Sequence, residues 1–558
     1  MISAGAIRGS LGRLIYGNPL YGALLAGRAP LALKLIPPTP FAGDALMGAA
    51  LTRGRLPLGD DSPGLELGLD WLPPGADRQT LRTLHGFDWL ADLRAQGGGD
   101  ARRRARELVA RWIDDFPVWH EVAWAGDLLG RRLYNWLVAY EFFAASADEE
   151  FRHRVMDSLL RQARHLARTL TEGEGTDLLA SLKALAVAGL ALEGQGAWVD
   201  RALRLLLRAL DRQLLPDGGH ASRSPSAQLE LLRHLIELRA ALRAGEREPP
   251  PALDRAIDRA ALLLRMLRHG DGRLAQFNGG REESREEVEQ ALAQARPHAR
   301  TPSEAPHWGY DRLAAGRLVA LVDTGRPPPV EHAQHAHAGP LSFELSAGRE
   351  RLIVNAGARP GSRDSWHMAQ RSTAAHSTLA VDDTNAVELL PGGFGRVMGR
   401  FTRNRTEVDG CHWLDAAHDG YRHAFGLMHR RRLYLDASGE DVRGEDTLQR
   451  IGDGRREAQS CAVRFHLHPS VRAGLVEGGK AALLRLPGGG GFRLQAAGAQ
   501  LALAESIYFG GPGAARPTQQ VVLTAAVGGS GAPGECAARL RWAIKRVGRE
   551  APTAGSDS

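Results

Sequence analysis

Apolar side chains recur every three to four positions through roughly the first 325 residues and every second position after about residue 330. In DARRRARELVARWIDDF, the residues Ala105, Leu108, Val109 and Trp112 fall on one stripe. The same spacing returns in DLLGRRLYNWLVAYEFFA, EEFRHRVMDSLLRQARHLARTL, DLLASLKALAVAGLAL, WVDRALRLLLRALDRQLL, SAQLELLRHLIELRAALRAG and ALDRAIDRAALLLRMLRHG. Each reads as an amphipathic helix. Short breakers such as TEGEGT, EGQGA, PDGGHASRSP, GEREPPP and HGDGRLAQFNGG separate them. Helices linked this tightly pack antiparallel, and no fixed-length repeat is visible. A helical toroid is therefore expected in preference to a regular solenoid.

After DTGRPPPVEHAQ the apolar runs become short and alternating: LSFELSAG, RLIVNAG, STLAVDD, RRRLYLDASG, CAVRFHLHPSV and QQVVLTAAVGG. Glycine, aspartate and asparagine fall between them, which predicts stacked antiparallel sheets. The boundary is expected near Pro327, Pro328 and Pro329. The chain of 558 residues then divides into a partly helical extension (1–79), a helical domain (80–325), a β domain (330–547) and a disordered tail (548–558).

The net charge of +7 favours an anionic partner. The basic residues are dispersed along helices, as at Arg102, Arg103, Arg104, Arg106 and Arg111, with no basic tail and no zinc-finger, RRM or KH pattern. This argues against nucleic acid. Cys411, Cys461 and Cys536 are too few for a disulfide framework. Arg8, Arg13 and Arg28 interrupt the mildly apolar N-terminus, so it reads as neither a signal peptide nor a membrane span.

Candidate chemistry centres on histidine. In EHAQHAHAGPLSFELSAG, His335 and His337 are two apart, which on a strand places both on one face. One imidazole there could hold a cation while the other moves a proton; a histidine-rich surface strand is the plainer alternative. His376 precedes the next alternating run, with Arg371 five residues earlier, and Asn355 lies between the two pieces. A third piece holds His418, Asp419, Tyr421 and His429. Trp124 and Trp136 lie on helical stripes and read as core rather than as a sugar platform, and His466 and His468 read as sheet structure.

In order, HAHAGPLSFELSAG, RLIVNAG, QRSTAAHSTLAVDD and HDGY resemble the β domain of the heparinase II/III-like polysaccharide lyases. GRRLYNWLVAY, DGGHASRSPSAQLELL and GYDRLAAGRLVALVDTGRPPP resemble that family's preceding segments, so the likeness spans most of residues 80–545. The resemblance implies an incomplete (α/α) toroid followed by an antiparallel β-sandwich. It also implies carbon–oxygen lyase activity by β-elimination on an anionic, uronic-acid-containing polysaccharide, and a place in the cell envelope or periplasm. Without a clear export signal, the cytoplasm stays open.

Residue by residue, the resemblance places His335 in the catalytic cleft, and His337, Asn355 and His376 at the positions that bind zinc. Asn355 stands where the family has Asp, and an amide is the poorer zinc ligand, so a weakened zinc site is implied. Thr176 and Asp177 replace an Asn-His pair, and Ala227 and Gln228 replace a Tyr-His pair. Replacement candidates are His335 or His220 as base, Tyr134 or Tyr310 as acid, and Arg223 or Arg371 as carboxylate clamp. Asn135 and Gln228 are candidate substrate contacts. The alternatives are a non-catalytic glycan-binding or envelope-polysaccharide assembly protein in the same fold, or a hydrolase needing a carboxylate pair such as Asp177 and Asp217.

Overall fold

The seven expected stripes become the helices Gly98–Asp115, Gly126–Phe143, Glu149–Thr169, Thr176–Ala191, Gly196–Gln213, Pro225–Ala244 and Pro251–Met266, and Arg78–Gly86 is a further helix before them. The structure is a computed structural model and describes residues 12–56, 65–66, 70–170, 176–296, 299–359, 364–511, 513–528 and 531–548. The expected tail beyond 548 and parts of the extension lie outside these. The chain forms two compact units. One comprises Met1–Leu214, Glu230–Asp258 and Ala293–Arg296; the other comprises Leu215–Leu229, Arg259–Leu292 and Pro297–Ser558.

The first unit is the incomplete toroid of antiparallel helix pairs. Asp77 and Asp148 cap two of its helices by accepting the Thr80 and Phe151 amide hydrogens. Gly130 lets two helices meet almost backbone to backbone, since a Cβ there would come within 2.7 Å of Ser181 Cα. Trp112 meets Trp136 edge to face at 5.5 Å, and Phe87 meets Trp136 in the same way at 5.3 Å. Arg132, fully buried, lies 3.9 Å over the Trp112 ring and donates to Gln162 Oε1 (2.8 Å), the His85 carbonyl (3.1 Å) and the Ala123 carbonyl (2.8 Å). Trp124 and Trp136 are core residues, as their stripes indicated.

The second unit holds, among the described residues, a two-stranded sheet pairing Leu389–Leu390 with Gly393–Phe394 and two large antiparallel sheets. Among the described residues, one runs in the order Gln500–Tyr508, Arg516–Ala526, Ser460–Leu467, Glu350–Val354, Phe343–Ala347, Leu318–Asp323, Tyr310–Ala315, Glu304–Ala305, with Leu379–Val381 also paired to Ser460–Leu467. The other runs Phe401–Val408, Cys411–His418, Leu427–Leu435, Asp441–Arg450, Cys536–Val547, Gly491–Ala497, Ala481–Arg485, Arg472–Val476. Their facing side chains, including Phe343, Phe465, Leu433, Leu448, Leu523 and Ile544, form the sandwich core. The sheets begin earlier than the proline boundary suggested. Tyr310–Ala315 and Leu318–Asp323 form a hairpin, and burial on both faces of Leu318–Asp323 hides its alternation.

One polar chain crosses this core. Gly420 N–H donates to His418 Nδ1 (3.1 Å), so His418 Nε2 carries the proton and donates to His429 Nδ1 (3.3 Å). His429 Nε2–H then donates to Asp446 Oδ1 (2.7 Å). Arg431 Nε donates to the same oxygen (2.8 Å), and Trp542 Nε1 donates to Oδ2 (2.9 Å). Trp542 stacks on Phe343 at 5.5 Å. The third histidine piece of the sequence is thus interior wiring.

Arg431→Met removes the only cation the described residues place against Asp446 and leaves that carboxylate enclosed. A loss of about 3–5 kcal/mol is expected in urea unfolding followed by tryptophan fluorescence. A loss below about 1 kcal/mol would mean that the histidine chain alone satisfies Asp446.

Candidate functional site

The HxH sequence is not on a strand. Gln334 and His335 form a turn, and Phe343–Ala347 begins only later. His335 is therefore exposed while His337 is buried, and the expectation that they share a strand face is corrected. The cause is Arg371, also buried, which donates to the carbonyls of Ala336 (2.8 Å), Leu390 (2.8 Å), Gly393 (2.7 Å) and Ala333 (3.4 Å). It gathers the histidine loop into a coil. Arg371 is spent on backbone carbonyls and does not stand as a carboxylate clamp. The His335 ring meets His367 edge to face at 5.6 Å.

His376 Nδ1–H donates to the Ser372 carbonyl (2.7 Å), leaving Nε2 as an acceptor for His337 Nδ1–H at 2.9 Å. Burial holds the His337 pKa well below 6.5, helped by the neighbouring His376, and lowers that of His376 to about 4. The third expected zinc ligand is committed elsewhere. Asn355 Oδ1 accepts the Ser377 amide (3.0 Å), and Nδ2 donates to the Gln276 carbonyl and to Glu344 Oε1, both at 3.3 Å. The two imidazoles bond to each other, no carboxylate joins them, and the described residues hold no group of three metal-ligating side chains. This donor set does not fit resident zinc.

Behind Asn355 lies Glu344, fully buried. Its Oε2 faces His269 Nε2 (2.9 Å), and its Oε1 accepts the amides of Asn355 (3.0 Å) and Gln276 (3.2 Å). Asn278 joins this framework to the histidine loop. Its Oδ1 accepts the His337 amide (3.2 Å), and its Nδ2 donates to Tyr310 Oη (2.9 Å).

Tyr310 Oη donates to the Arg223 carbonyl (2.5 Å) and is buried, so it is a strut rather than an accessible acid. Arg223 donates to the carbonyls of Trp308 (2.7 Å), Gly309 (2.9 Å) and Arg326 (2.7 Å) and to Asp323 Oδ1 (2.5 Å). It too is a latch and not a clamp. Gln228 accepts the His220 amide (2.7 Å) and donates to the carbonyls of Gly218 and Ala260 (both 3.0 Å), which uses both ends of its amide and removes it as a substrate contact. Asp217 accepts the amides of His307 (2.9 Å) and Trp308 (2.7 Å), a structural duty rather than that of a hydrolase carboxylate.

His220 is what these latches position. Its Nδ1 accepts the Ser222 amide (3.1 Å) and contacts the Ser222 hydroxyl (2.7 Å), so the proton sits on Nε2. Nε2 is enclosed with no hydrogen-bonding partner among the described residues. The His332 ring stands edge to face with it at 5.6 Å. Burial, with His332 adding, lowers the His220 pKa to about 3, so the imidazole is a neutral N–H donor at ordinary pH.

In the helical unit, Tyr134 is buried under the Lys183 ammonium, 3.4 Å from its ring centroid, and Lys183 pairs with Glu237. Burial, with Glu237 adding, holds the phenol well above pKa 10, and its seat under Lys183 in the helical unit, not in the unit that holds His335, removes the expected acid role. Asn135 gives its amide hydrogens to the Gly86 carbonyl (2.8 Å) and Asp88 (2.9 Å), so it fastens a helix end instead of facing a ligand.

The sequence reading missed Glu344, His269, Gln276 and Asn278. LSFELSAG puts Glu344 on the polar side of an alternating strand, which predicts exposure. The segment Gly270–Gly280 covers that side, and only the QFNGG turn hinted at a special backbone: Asn278 has φ +48°.

Residues 98–299 match the family model described as heparinase II/III N-terminus, and residues 297–543 match heparinase II/III-like, C-terminal. FtsZ-localized protein C of Caulobacter vibrioides is 36% identical over 560 residues, covering 97% of this chain and 94% of that protein. Among solved structures, heparinase III aligns with a TM-score of 0.72 at 15% identity, over 95% of this chain and 90% of that one. Heparan sulfate lyase HepC from Pedobacter heparinus aligns with a TM-score of 0.59 at 15% identity, over 98% and 92%. At those identities the structural likeness is one of fold.

Two outcomes follow from this geometry. Equilibrium dialysis should find no stoichiometric zinc, whereas Asn355→Asp, which sets a second carboxylate against Glu344, should cost about 3 kcal/mol of stability; a bound zinc equivalent in the natural protein would refute the fit argument. The buried imidazoles also set an acid limit. His220 and His466 titrate at about 3 and His376 at about 4 when folded, against 6.5 unfolded. Below pH 6.5 the unfolded chain binds protons that the folded one refuses, so stability is full above 6.5 and falls towards pH 4. Each group contributes a slope of about 1.4 kcal/mol per pH unit in that window, and urea midpoints that stay flat from pH 7.5 to 5 would contradict it.

Proposed function

Because the chain belongs to the heparinase II/III-like family, we propose that it cleaves a uronic-acid-containing polysaccharide by β-elimination, using imidazoles where the family uses Asn, His and Tyr. The observation that carries this reading is the His220 Nε2–H, enclosed and without a partner among the described residues, in the same unit as the exposed His335. β-Elimination needs the uronate carboxylate neutralised, a base for the C5 proton and an acid for the leaving oxygen. In this proposal His220 donates its Nε2 hydrogen to the carboxylate, and its low pKa keeps it a donor that never becomes a cation. His335 takes the C5 proton, the C5–H electron pair becomes the C4–C5 double bond, and the C4–O bond breaks. The His335 imidazolium then returns a proton to the leaving oxygen. A neutral N–H stabilises the developing charge less than a cation would, so slow turnover is expected.

A second reading is favoured by what Arg223 and Arg371 do. Both guanidiniums are committed to the protein's own acceptors, which suits a glycan-holding protein without turnover. The relative's name, FtsZ-localized protein C, makes the cell-division site the place where such a protein would act. Among the described residues no helix is long and apolar enough to cross a membrane.

The ultraviolet absorbance of unsaturated uronate, followed on a panel of acidic polysaccharides, separates the two readings. The lyase reading expects a rise that falls at least about 100-fold in His335→Ala. Binding without any rise, on every glycan of the panel, would replace it with the holding protein.

A further inference from the structure

The outer face of the eight-stranded sheet carries a hollow of about 670 Å³ that the histidine loop does not touch. Its floor is a row in register across five neighbouring strands: Trp413, Tyr434, Arg443, Ala543 and Gln495. At about 4.8 Å per strand the row spans roughly 19 Å, the scale of an oligosaccharide rather than a single sugar. Inward neighbours on the same strands, such as Leu414, Leu433, Trp542 and Leu494, belong to the sandwich core, so this row faces away from it.

Trp413 is 42% exposed and leans on Tyr434 with ring centroids 5.1 Å apart. Two aromatic rings at one end of a sheet face form a shelf for the C–H face of a pyranose. The next row on this face pairs Asp415, Arg432, Glu445 and Arg541 in the same order of strands. Arg541 gives its Nε–H to Glu445 at 2.8 Å, while its side chain remains 62% exposed. Arg443 pairs with Asp441 (2.6 Å) and Arg432 with Asp415 (3.3 Å), and these two guanidiniums are also more than half exposed. Arg432, Arg443, Arg541 and Lys545 line the hollow, four cations against the three carboxylates Glu445, Asp441 and Asp415 that pair with them. A face this rich in charge, with an aromatic shelf at one end only, is unlike the charge-depleted centre of a protein–protein interface.

We propose that this sheet face is a second glycan-binding site, which stacks a sugar ring on Trp413 and Tyr434 and holds the carboxylates of a uronate-containing chain with the arginines. It rests on the sheet face alone and not on whether the histidine loop performs elimination.

Isothermal titration of the full chain with a hyaluronan hexasaccharide, and with uncharged cellohexaose as comparison, tests this. The natural protein and His335→Ala are expected to bind hyaluronan alike. Trp413→Ala, outside the core, is expected to bind about tenfold more weakly with an unchanged thermal midpoint, and Arg443→Ala with Arg541→Ala to lose the preference for the charged sugar. Trp413→Ala binding as tightly as the natural protein would overturn the proposal. So would binding lost in His335→Ala but kept in Trp413→Ala, or no binding by the natural protein.

Discussion

The Glu344 carboxylate is enclosed completely, and the arrangement around the histidine loop follows from satisfying it. An unpaired carboxylate at that depth would be prohibitive, so His269, the Gln276 amide and the Asn355 amide converge on its two oxygens. Asn355, held there, turns its own oxygen to Ser377 and so fixes the start of the segment carrying His376. A carboxylate at 355 would lose the amide hydrogens given to Glu344 Oε1 and the Gln276 carbonyl and set oxygen against oxygen there. The amide found there and the buried glutamate are therefore one solution, and the missing zinc ligand is a consequence of it.

What the sequence made legible depended on periodicity. The helical stripes at Trp112 and Trp136 and the alternating runs from Phe343 onward translate directly into elements, because burial on one side imposes the period. The hairpin Tyr310–Asp323 escaped because it is buried on both faces. For the site, residue types were legible and their duties were not. Arg223, Arg371 and Gln228 stand in segments that resemble a catalytic family, yet each is consumed by hydrogen bonds within the protein, from 8 residues away for Gln228 to 103 for Arg223, and no spacing rule reports such partners. His220 was legible as a candidate, but its tautomer is set by Ser222, and its unpartnered nitrogen is visible only in three dimensions.

This division between latches and presenters bears on chemistry. An arginine that gathers four carbonyls cannot also neutralise a uronate without releasing the loop it holds. The loop of His335 thus owes its shape to a cation that a lyase would otherwise spend on substrate. In the proposed elimination the uronate carboxylate meets a neutral donor, His220, and the cations presented to solvent matter correspondingly more for holding an anionic chain.

Four such cations, Arg432, Arg443, Arg541 and Lys545, line the outer sheet face, and the two parts of the second unit have complementary shortages. The histidine region offers proton-transfer groups but little positive charge that its own backbone has not claimed. The sheet face offers arginines and an aromatic shelf, while its lining carboxylate, Glu445, is taken up by Arg432 and Arg541. A polymer differs from a small substrate in that affinity and chemistry need not coincide: a chain tethered at one place raises its own concentration at another. The proposed grip on the sheet face would therefore make a weak histidine site with spent arginines tolerable in the same unit.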